Sequence, residues 1–167
     1  EYIDMVELRA DFLEKEELSL LHTFPSLTDI PVILTIRKEK DGGCYKGDEG
    51  ERRGLLKKGA SGGYAFVDLE EDLRDGVFTR GIKEQGPRVI RSFHDFTGVP
   101  RDLVRRVKDC SRGPGEIPKA AVMPQSTTDL HYLIKAMKEC GDMEKIILGM
   151  GSYGFPSRIL ATPLGSF

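Results

Sequence analysis

Short runs of apolar residues recur along the chain, and longer polar segments separate them. Each run is rich in β-branched and large apolar side chains and has the length of a buried strand, so we predict strands at these positions. The predicted strands lie at residues 2–8, 31–36, 64–69, 88–93, 117–123 and 145–150. Because the runs are apolar at successive positions, they are typical of parallel strands that helices cover on the outside.

Several of the polar segments show the periodicity of amphipathic helices. Helices are predicted at residues 11–22, about 49–58, 100–109 and 126–140. In the last of these, Ser126, Thr127 or Thr128 is the candidate N-cap. In the third, Pro100 suits a position in the first turn. Strands that alternate with helices indicate βαβ units and a mostly parallel sheet.

The expected fold class is α/β, and the sequence favours a (β/α)8 barrel. The phosphate-binding patterns of the two common nucleotide folds, GxGxxG after a strand and GxxxxGK[ST], are both absent from the sequence. A length of 167 residues with 39% hydrophobic content suits one globular domain over residues 1–167. We therefore expect a single barrel domain.

The composition narrows the classes of partner and location. The net charge is -2, and acidic and basic residues are mixed along the chain, so neither nucleic acid nor a membrane surface is expected as a partner. Cys44, Cys110 and Cys140 are widely spaced, which predicts reduced thiols and no metal site. No apolar stretch reaches the length of about 20 residues that a membrane helix needs, and residues 1–10 lack the build of a signal peptide. We therefore expect a cytoplasmic protein.

Charged or polar residues lie in or after each predicted strand, where burial is costly unless each group has a partner or a function. In chain order they are Glu7, Arg9, Arg37, Asp68, Glu70, His94, Asp95, Lys119, Ser157 and Arg158. In a (β/α)8 barrel the carboxyl ends of the strands converge on one mouth, where active sites are built. For Glu7 and Arg9, a structural ion pair is the alternative interpretation.

Lys119 stands in the apolar run IPKAAVM, which is an unusual place for an ammonium group. Desolvation, together with neighbouring cations such as Arg37 or Arg158, would favour the neutral amine, which attacks ketones to give an imine. His94 would move protons, and the arginines would bind a carboxylated substrate. These residues therefore suggest proton abstraction beside a ketone through a Schiff base.

Six sequence motifs carry a resemblance to a known family. They are VELRAD at 6–11, TIRKEKDGG at 35–43, VDLEED at 67–72, IRSFHDF at 90–96, IPKAAVMPQS at 117–126 and MGSYGFPSR at 150–158. In this order, and across essentially the whole chain, they resemble the motifs of the type I 3-dehydroquinate dehydratases, or 3-dehydroquinases. The resemblance implies a (β/α)8 barrel enzyme of the shikimate pathway of aromatic amino acid biosynthesis. Such an enzyme dehydrates 3-dehydroquinate to 3-dehydroshikimate without a metal or cofactor, and the family is often homodimeric.

The resemblance also implies a role for each matching residue. Lys119 matches the lysine that forms the imine with the ketone of the substrate. His94 matches the histidine that removes the neighbouring proton and protonates the leaving hydroxyl. The substrate-binding positions of the family are matched by Glu7, Arg9, Arg37, Arg158 and Met150.

The chain departs from the family pattern in two respects. Asp41 stands in TIRKEKDGG where the family usually has a glutamate that orients the catalytic histidine, and Asp68 or Glu70 is the alternative for this role. The chain also opens on the match to the second strand of the family, and LGSF at 164–167 matches only the start of the eighth. We therefore expect an incomplete barrel, without the first strand and most of the last, in a fragment of a longer polypeptide.

Three other functions stay open. Another Schiff-base barrel enzyme of the aldolase type would also need a strand lysine, but the SFHDF histidine and the Glu7/Arg9 pair have dedicated places in the dehydratase motifs. A catalytically silent homologue would keep the pocket and lose turnover. The chain is also compatible with the dehydroquinase part of a bifunctional enzyme that contains shikimate dehydrogenase.

Overall fold

The computed structural model describes residues 3–111 and 113–167, and all six predicted strands are found in it. They are β1 (Val6–Arg9), β2 (Val32–Thr35), β3 (Phe66–Glu70), β4 (Arg88–Asp95), β5 (Glu116–Val122) and β6 (Ile146–Gly149). The first predicted run starts at Tyr2, which lies outside the described residues. The strand itself starts at Val6, where its pairing with β2 begins.

Helices alternate with these strands. They are α1 (Lys15–Leu18), α2 (Glu49–Ala60), α3 (Gly76–Lys83), α4 (Leu103–Cys110), α5 (Thr127–Glu139) and α6 (Gly151–Ile159). The predictions at 49–58, 100–109 and 126–140 are confirmed as α2, α4 and α5. Ser126 caps α5, because its Oγ accepts a hydrogen bond from the Asp129 N–H at 3.1 Å. Within the part of the chain that the structure describes, no helix is long and apolar enough to cross a membrane.

The prediction of one continuous helix at 11–22 is wrong. α1 has only four residues, and a 3-10 turn lies on each side of it. Glu14 and Glu17 form a capping box that begins α1, and the Ser19 hydroxyl donates to the Glu16 carbonyl at its end. Local bonds between side chains and backbone therefore interrupt the periodicity that predicts a longer helix.

Three further details of the helices differ from the prediction. Pro100 lies before α4 rather than in its first turn, and its carbonyl accepts a hydrogen bond from the Leu103 N–H at 3.1 Å. The sequence pattern also does not predict α3 or α6. Asp75 caps α3, but glycines within α3 and Pro156 within α6 are unfavourable in helices and obscure the pattern.

The boundary between two compact units falls within β4, between Ile90 and Arg91. We call the described residues before this boundary unit 1 and those after it unit 2. In unit 1, β1, β2 and β3 pair in parallel and in that order, so that Arg9, Thr35 and Asp68 occupy one level of the sheet. The parallel pairing that the alternation of elements predicts is therefore present in this unit.

One face of the unit 1 strands packs against helices. Leu34 and Val67 are fully buried there in one apolar cluster with Leu56 and Ala60 of α2. Because side chains alternate along a strand, the intervening residues point to the opposite face. That face carries the residues singled out from the sequence of this unit, which are Glu7, Arg9, Arg37, Asp68 and Glu70.

Unit 2 has its own apolar core and the same alternation. β5 and β6 pair in parallel, with Lys119 level with Ile146. Phe93 of β4 and Ala120 of β5 are buried in the cluster that α4 and α5 cover. His94 and Lys119 are the chain neighbours of these two residues, so alternation places both on the face away from the core.

Candidate active site

Arg37, two residues after the end of β2, lies between two carboxylates of β3. It is only 3% exposed; its Nη2 lies 2.8 Å from Asp68 Oδ2, and its Nη1 lies 3.5 Å from Glu70 Oε1. Burial alone would lower the pKa of Arg37, but the charges of Asp68 and Glu70 raise it above its ordinary value. A permanent cation is therefore held in a fixed orientation, which suits the binding of an anionic group.

Arg52 supports this arrangement from the helix side, and it is absent from the residues predicted from the sequence. Its side chain is fully buried, and its Nη1 donates to Glu70 Oε2 at 2.8 Å and to the Ile36 carbonyl at 3.0 Å. Burial raises the pKa of Glu70, and the charges of Arg52 and Arg37 act against that rise. The sequence does contain a signal for Arg52, because this charged residue stands four residues before Leu56 on the apolar stripe of α2.

Arg9 forms a bidentate ion pair with Asp11. Its Nε and Nη2 donate to the two carboxylate oxygens at 2.9 and 2.7 Å, and its guanidinium lies 4.8 Å from the centroid of the Phe12 ring. The hydrogen bond with Asp11 is the main cause that raises the pKa of Arg9. Glu7 accepts a hydrogen bond from the Thr35 hydroxyl at 2.6 Å. The bidentate partner of Arg9 is Asp11. The structural ion pair that the sequence suggests as the alternative would instead join Arg9 to Glu7.

Asp41 ends a 3-10 turn in the loop after β2 and lies near Lys38. The Nζ of Lys38 is 3.7 Å from Asp41 Oδ2. The path of this loop requires a residue without a side chain at Gly43, because a Cβ there would lie 2.0 Å from the Arg37 carbonyl oxygen. That Asp41 orients His94 stays a prediction, and so does the alternative assignment of this role to the carboxylates of β3.

Lys119 stands in the middle of β5, on the face of unit 2 that points away from its apolar core. Ile117 and Ala121, two residues before and after it on the same face, are both buried. Lys119 itself is half-buried. Its alkyl stem therefore lies beside apolar residues while part of the side chain stays accessible to a ligand.

His94 lies on the same face as Lys119, near the carboxyl end of β4. Its ring is half-buried and nearly parallel to the Phe96 ring, with 6.1 Å between the centroids. The next residue, Asp95, accepts hydrogen bonds from the N–H and the hydroxyl of Thr97 at 2.9 and 2.6 Å. Burial would raise the pKa of Asp95, but these hydrogen bonds outweigh burial and lower it. Hydrogen bonds therefore fix the turn directly after His94.

The other predicted residues of unit 2 follow β6. Gly149 and Gly154 let the strand and α6 approach closely, since a Cβ on Gly149 would lie 2.5 Å from Gly154 Cα. The buried Ser157 hydroxyl accepts from the Gly149 N–H at 2.8 Å and donates to the Gly154 carbonyl at 2.7 Å. Arg158 is exposed, and its Nε donates to the Gly149 carbonyl at 3.3 Å. Met150 is the N-cap of α6 and is half-buried.

Comparison with known families decides which family carries these motifs. The model of the family described as type I 3-dehydroquinase matches residues 1–167. The chain belongs to the type I 3-dehydroquinase family. The resemblance that the six motifs indicate is therefore confirmed, and the aldolase-type alternative is not favoured.

Relatives of known name agree with the family assignment. The chain is 32% identical over 163 residues to a 3-dehydroquinate dehydratase from Dehalococcoides mccartyi, a match that covers 96% of this chain and 71% of the relative. It is 34% identical over 173 residues to a 3-dehydroquinate dehydratase from Methanococcoides burtonii, covering 98% and 72% respectively.

A solved structure shows the same fold. The 3-dehydroquinate dehydratase from Geobacillus kaustophilus matches with a TM-score of 0.88 and 29% identity, over 99% of this chain and 70% of that one. This likeness confirms the predicted α/β barrel class. The described residues 3–111 and 113–167 contain six of the strands of such a barrel.

Proposed function

We propose that this protein is a hydro-lyase that removes water from 3-dehydroquinate to give 3-dehydroshikimate. The observation that carries the proposal is the match of the type I 3-dehydroquinase family over residues 1–167. Relatives that are named 3-dehydroquinate dehydratase, at 32 to 34% identity, support it. The shikimate pathway then follows from the reaction.

Lys119 supplies the covalent step in this proposal. Its neutral amine attacks the ketone carbon of the substrate, the carbonyl oxygen leaves as water, and an imine forms. The imine draws electrons from the adjacent carbon, which acidifies the proton on that carbon. The position of Lys119 between the buried residues Ile117 and Ala121, with part of its own side chain accessible, supports this role.

His94 moves the protons. It removes the proton from the carbon beside the imine, and the hydroxyl group then leaves with a proton as water. A further water molecule hydrolyses the imine, which releases the ketone of the product and restores the Lys119 amine. The shared face of His94 and Lys119 in unit 2 supports this division of work, since a base must lie within reach of the proton that it removes.

The other predicted residues bind the substrate or orient His94. Arg37 and Arg158 contact the carboxylate and ring hydroxyls, while Met150 packs against the ring. Glu7 and Arg9 complete the binding set, and Asp41 orients the histidine. The buried ion pairs of Arg37 support its role, because a cation of fixed orientation binds a carboxylate with little further loss of side-chain entropy.

A solved relative supports covalent chemistry in this family. It is a type I 3-dehydroquinate dehydratase from Clostridium difficile, described with covalent modified comenic acid. It is 28% identical to this chain, with a TM-score of 0.86, and the match covers 99% of this chain and 72% of that one.

Borohydride trapping tests the proposal. The protein is incubated with 3-dehydroquinate and borohydride, and we expect a mass adduct on the peptide that contains Lys119. Lys119→Ala should abolish both adduct and turnover, whereas the control Lys135→Ala, on the exposed side of α5, should keep both. An adduct that survives Lys119→Ala contradicts the assignment. No adduct and no turnover in the native protein would favour the catalytically silent homologue.

Several expectations remain predictions beside this proposal. They are a homodimer, a cytoplasmic location, a reaction without metal or cofactor, no nucleic-acid partner, and a chain that is part of a longer or bifunctional polypeptide. Light scattering and intact mass measurement would test the first and the last of them.

A further inference from the structure

Asp11 is a buried carboxylate that no predicted role uses. It follows Arg9 by two residues at the end of the VELRAD motif, and its side chain is 0% exposed. A buried carboxylate is costly unless hydrogen bonds and opposite charge compensate it. The partners of Asp11 therefore indicate what it does.

Four hydrogen bonds converge on Asp11. Oδ1 accepts from Arg9 Nε at 2.9 Å and from the Arg37 backbone N–H at 3.2 Å. Oδ2 accepts from Arg9 Nη2 at 2.7 Å and from the Cys44 backbone N–H at 3.0 Å. Each oxygen therefore bonds once to the guanidinium and once to the backbone. Burial would raise the pKa of Asp11, but these bonds outweigh it and lower the pKa.

The bonds to the guanidinium fix the orientation of Arg9. Asp11 holds its Nε and Nη2 in a bidentate pair, and the Phe12 ring lies 4.8 Å below the guanidinium. One third of the Arg9 side chain stays exposed. Asp11 therefore presents part of the Arg9 guanidinium to a ligand in a fixed plane.

The bonds to the backbone hold the two ends of one loop. Arg37 and Cys44 are the first and last residues of the segment 37–44, which contains Asp41. Within this segment the Gly43 N–H donates to the Lys38 carbonyl at 2.9 Å, so the loop closes on itself. A single carboxylate therefore joins Arg9 to both ends of the loop.

We propose that Asp11 is a positioning residue for substrate binding, which holds Arg9 and the loop 37–44 in the arrangement that the substrate requires. It acts through Arg9, Arg37 and Asp41 rather than by contact with the substrate. This inference rests on the proposed function, because those three residues are proposed to bind the substrate or orient the catalytic histidine.

Steady-state kinetics of Asp11→Asn test the proposal. The variant keeps the size of the side chain and one acceptor oxygen, but it loses the charge that holds Arg9. We expect KM for 3-dehydroquinate to rise about tenfold or more, the loss expected for one charged hydrogen bond. Borohydride trapping at saturating substrate should stay within about threefold of the native yield, because Lys119 is unchanged.

The control is Asp75→Asn, which removes a carboxylate of the same unit that caps α3 and pairs with Arg53. It should leave KM unchanged. A normal KM in folded Asp11→Asn, with only a lower melting temperature, would show a purely structural role and overturn the inference.

Two further measurements keep the test decisive. If Asp11→Asn does not fold, Asp11→Glu, which keeps the charge and moves it by one methylene, is measured in the same way, and an unchanged KM overturns the inference. The native protein separates this inference from the proposed function. If the native protein shows neither trapping nor turnover, the proposed function fails. If the native protein is active and the Asp11 variants have the native KM, only the role of Asp11 is contradicted.

Discussion

Unit 1 and unit 2 differ in what they place on the strand face away from their apolar cores. In unit 1 this face carries ion pairs, such as those of the buried Arg37 with Asp68 and Glu70. In unit 2 it carries Lys119 and His94, with buried apolar residues on either side of the lysine. Ion pairs fix both the position and the charge of a group, which suits recognition of an anion. An amine and an imidazole beside apolar residues suit bond formation and proton transfer.

The largest expected effect is on kcat, and it tests the chemistry proposed for the residues of unit 2. His94→Ala should lower kcat by about 10²- to 10⁴-fold, because it removes the proposed general base and acid. Imine formation on Lys119 should continue, so borohydride trapping with 3-dehydroquinate should still label the Lys119 peptide. The control His131→Ala, on an exposed position of α5, should keep full turnover.

Loss of trapping together with turnover would assign His94 a part in imine formation as well. Full turnover in His94→Ala would contradict its proposed role. The second result would change the division between the two units, because proton transfer would then depend on residues other than His94.

The second-largest expected effect is on the free energy of unfolding, and it tests the buried ion pairs of unit 1. Arg52→Met keeps the length of the buried side chain but removes the cation that donates to Glu70 Oε2 at 2.8 Å. We expect the free energy of unfolding to fall by about 3 kcal/mol, the order of loss when one partner of a buried pair is removed. Chemical denaturation at pH 7 measures it. Arg53→Met is the matched control, since Arg53 is one residue away and partly exposed, and it should cost far less.

The pH dependence of Arg52→Met provides a further check. Burial already raises the pKa of Glu70, and loss of Arg52 removes a charge that opposes this rise. The folded variant then binds a proton more readily than the unfolded chain does, so its stability should improve as the pH falls from 8 toward 5. A loss that is the same at both pH values would show that packing, rather than the charge of Glu70, explains the effect.

The sequence predicts the fold well where many apolar residues follow one another at the spacing of a strand or a helix. All six strands are predictable because each run is rich in β-branched and large apolar residues, and α5 is predictable because a cap precedes a regular apolar stripe. The continuous helix at 11–22 is wrong because capping by Glu14 and Ser19 depends on local backbone geometry that periodicity does not contain. The helix α6 is missed because Pro156 and its glycines are typical of turns.

The candidate site is predictable only in part, and the reason is physical. Lys119 and Arg37 stand out because a charge within or just after an apolar run has few structural explanations. Asp11 does not stand out, and the only sequence signal for Arg52 is its place on the apolar stripe of α2, since both have important partners that are distant in the chain. Asp11 accepts from Cys44, 33 residues away. Such pairing becomes visible only when the strands are placed side by side.

The smallest expected effect concerns the exposed edge of the unit 1 ion pairs. Asp72 accepts hydrogen bonds from Lys38 at 2.8 and 3.0 Å and also pairs with Lys40. Burial would raise the pKa of Asp72, but these lysines lower it to about 2. The pairing therefore stabilises the fold above the ordinary pKa of about 4 and is lost as the pH falls toward 2. Because 45% of the Asp72 side chain is exposed, screening should limit the effect to less than about 1 kcal/mol.

Asp72→Asn should therefore flatten the plot of unfolding free energy against pH between about 4 and 2, with little change in kcat or KM at neutral pH. Asp109→Asn is the matched control in unit 2, where an exposed aspartate lies 3.9 Å from Arg105, and it should leave the slope unchanged. Equal slopes for the native protein and Asp72→Asn would show that the paired charges of unit 1 stabilise it only where they are buried. If both variants instead flatten the plot of unfolding free energy against pH equally, exposed carboxylates contribute alike in the two units. The two units would then not differ in their electrostatic stabilisation at acid pH.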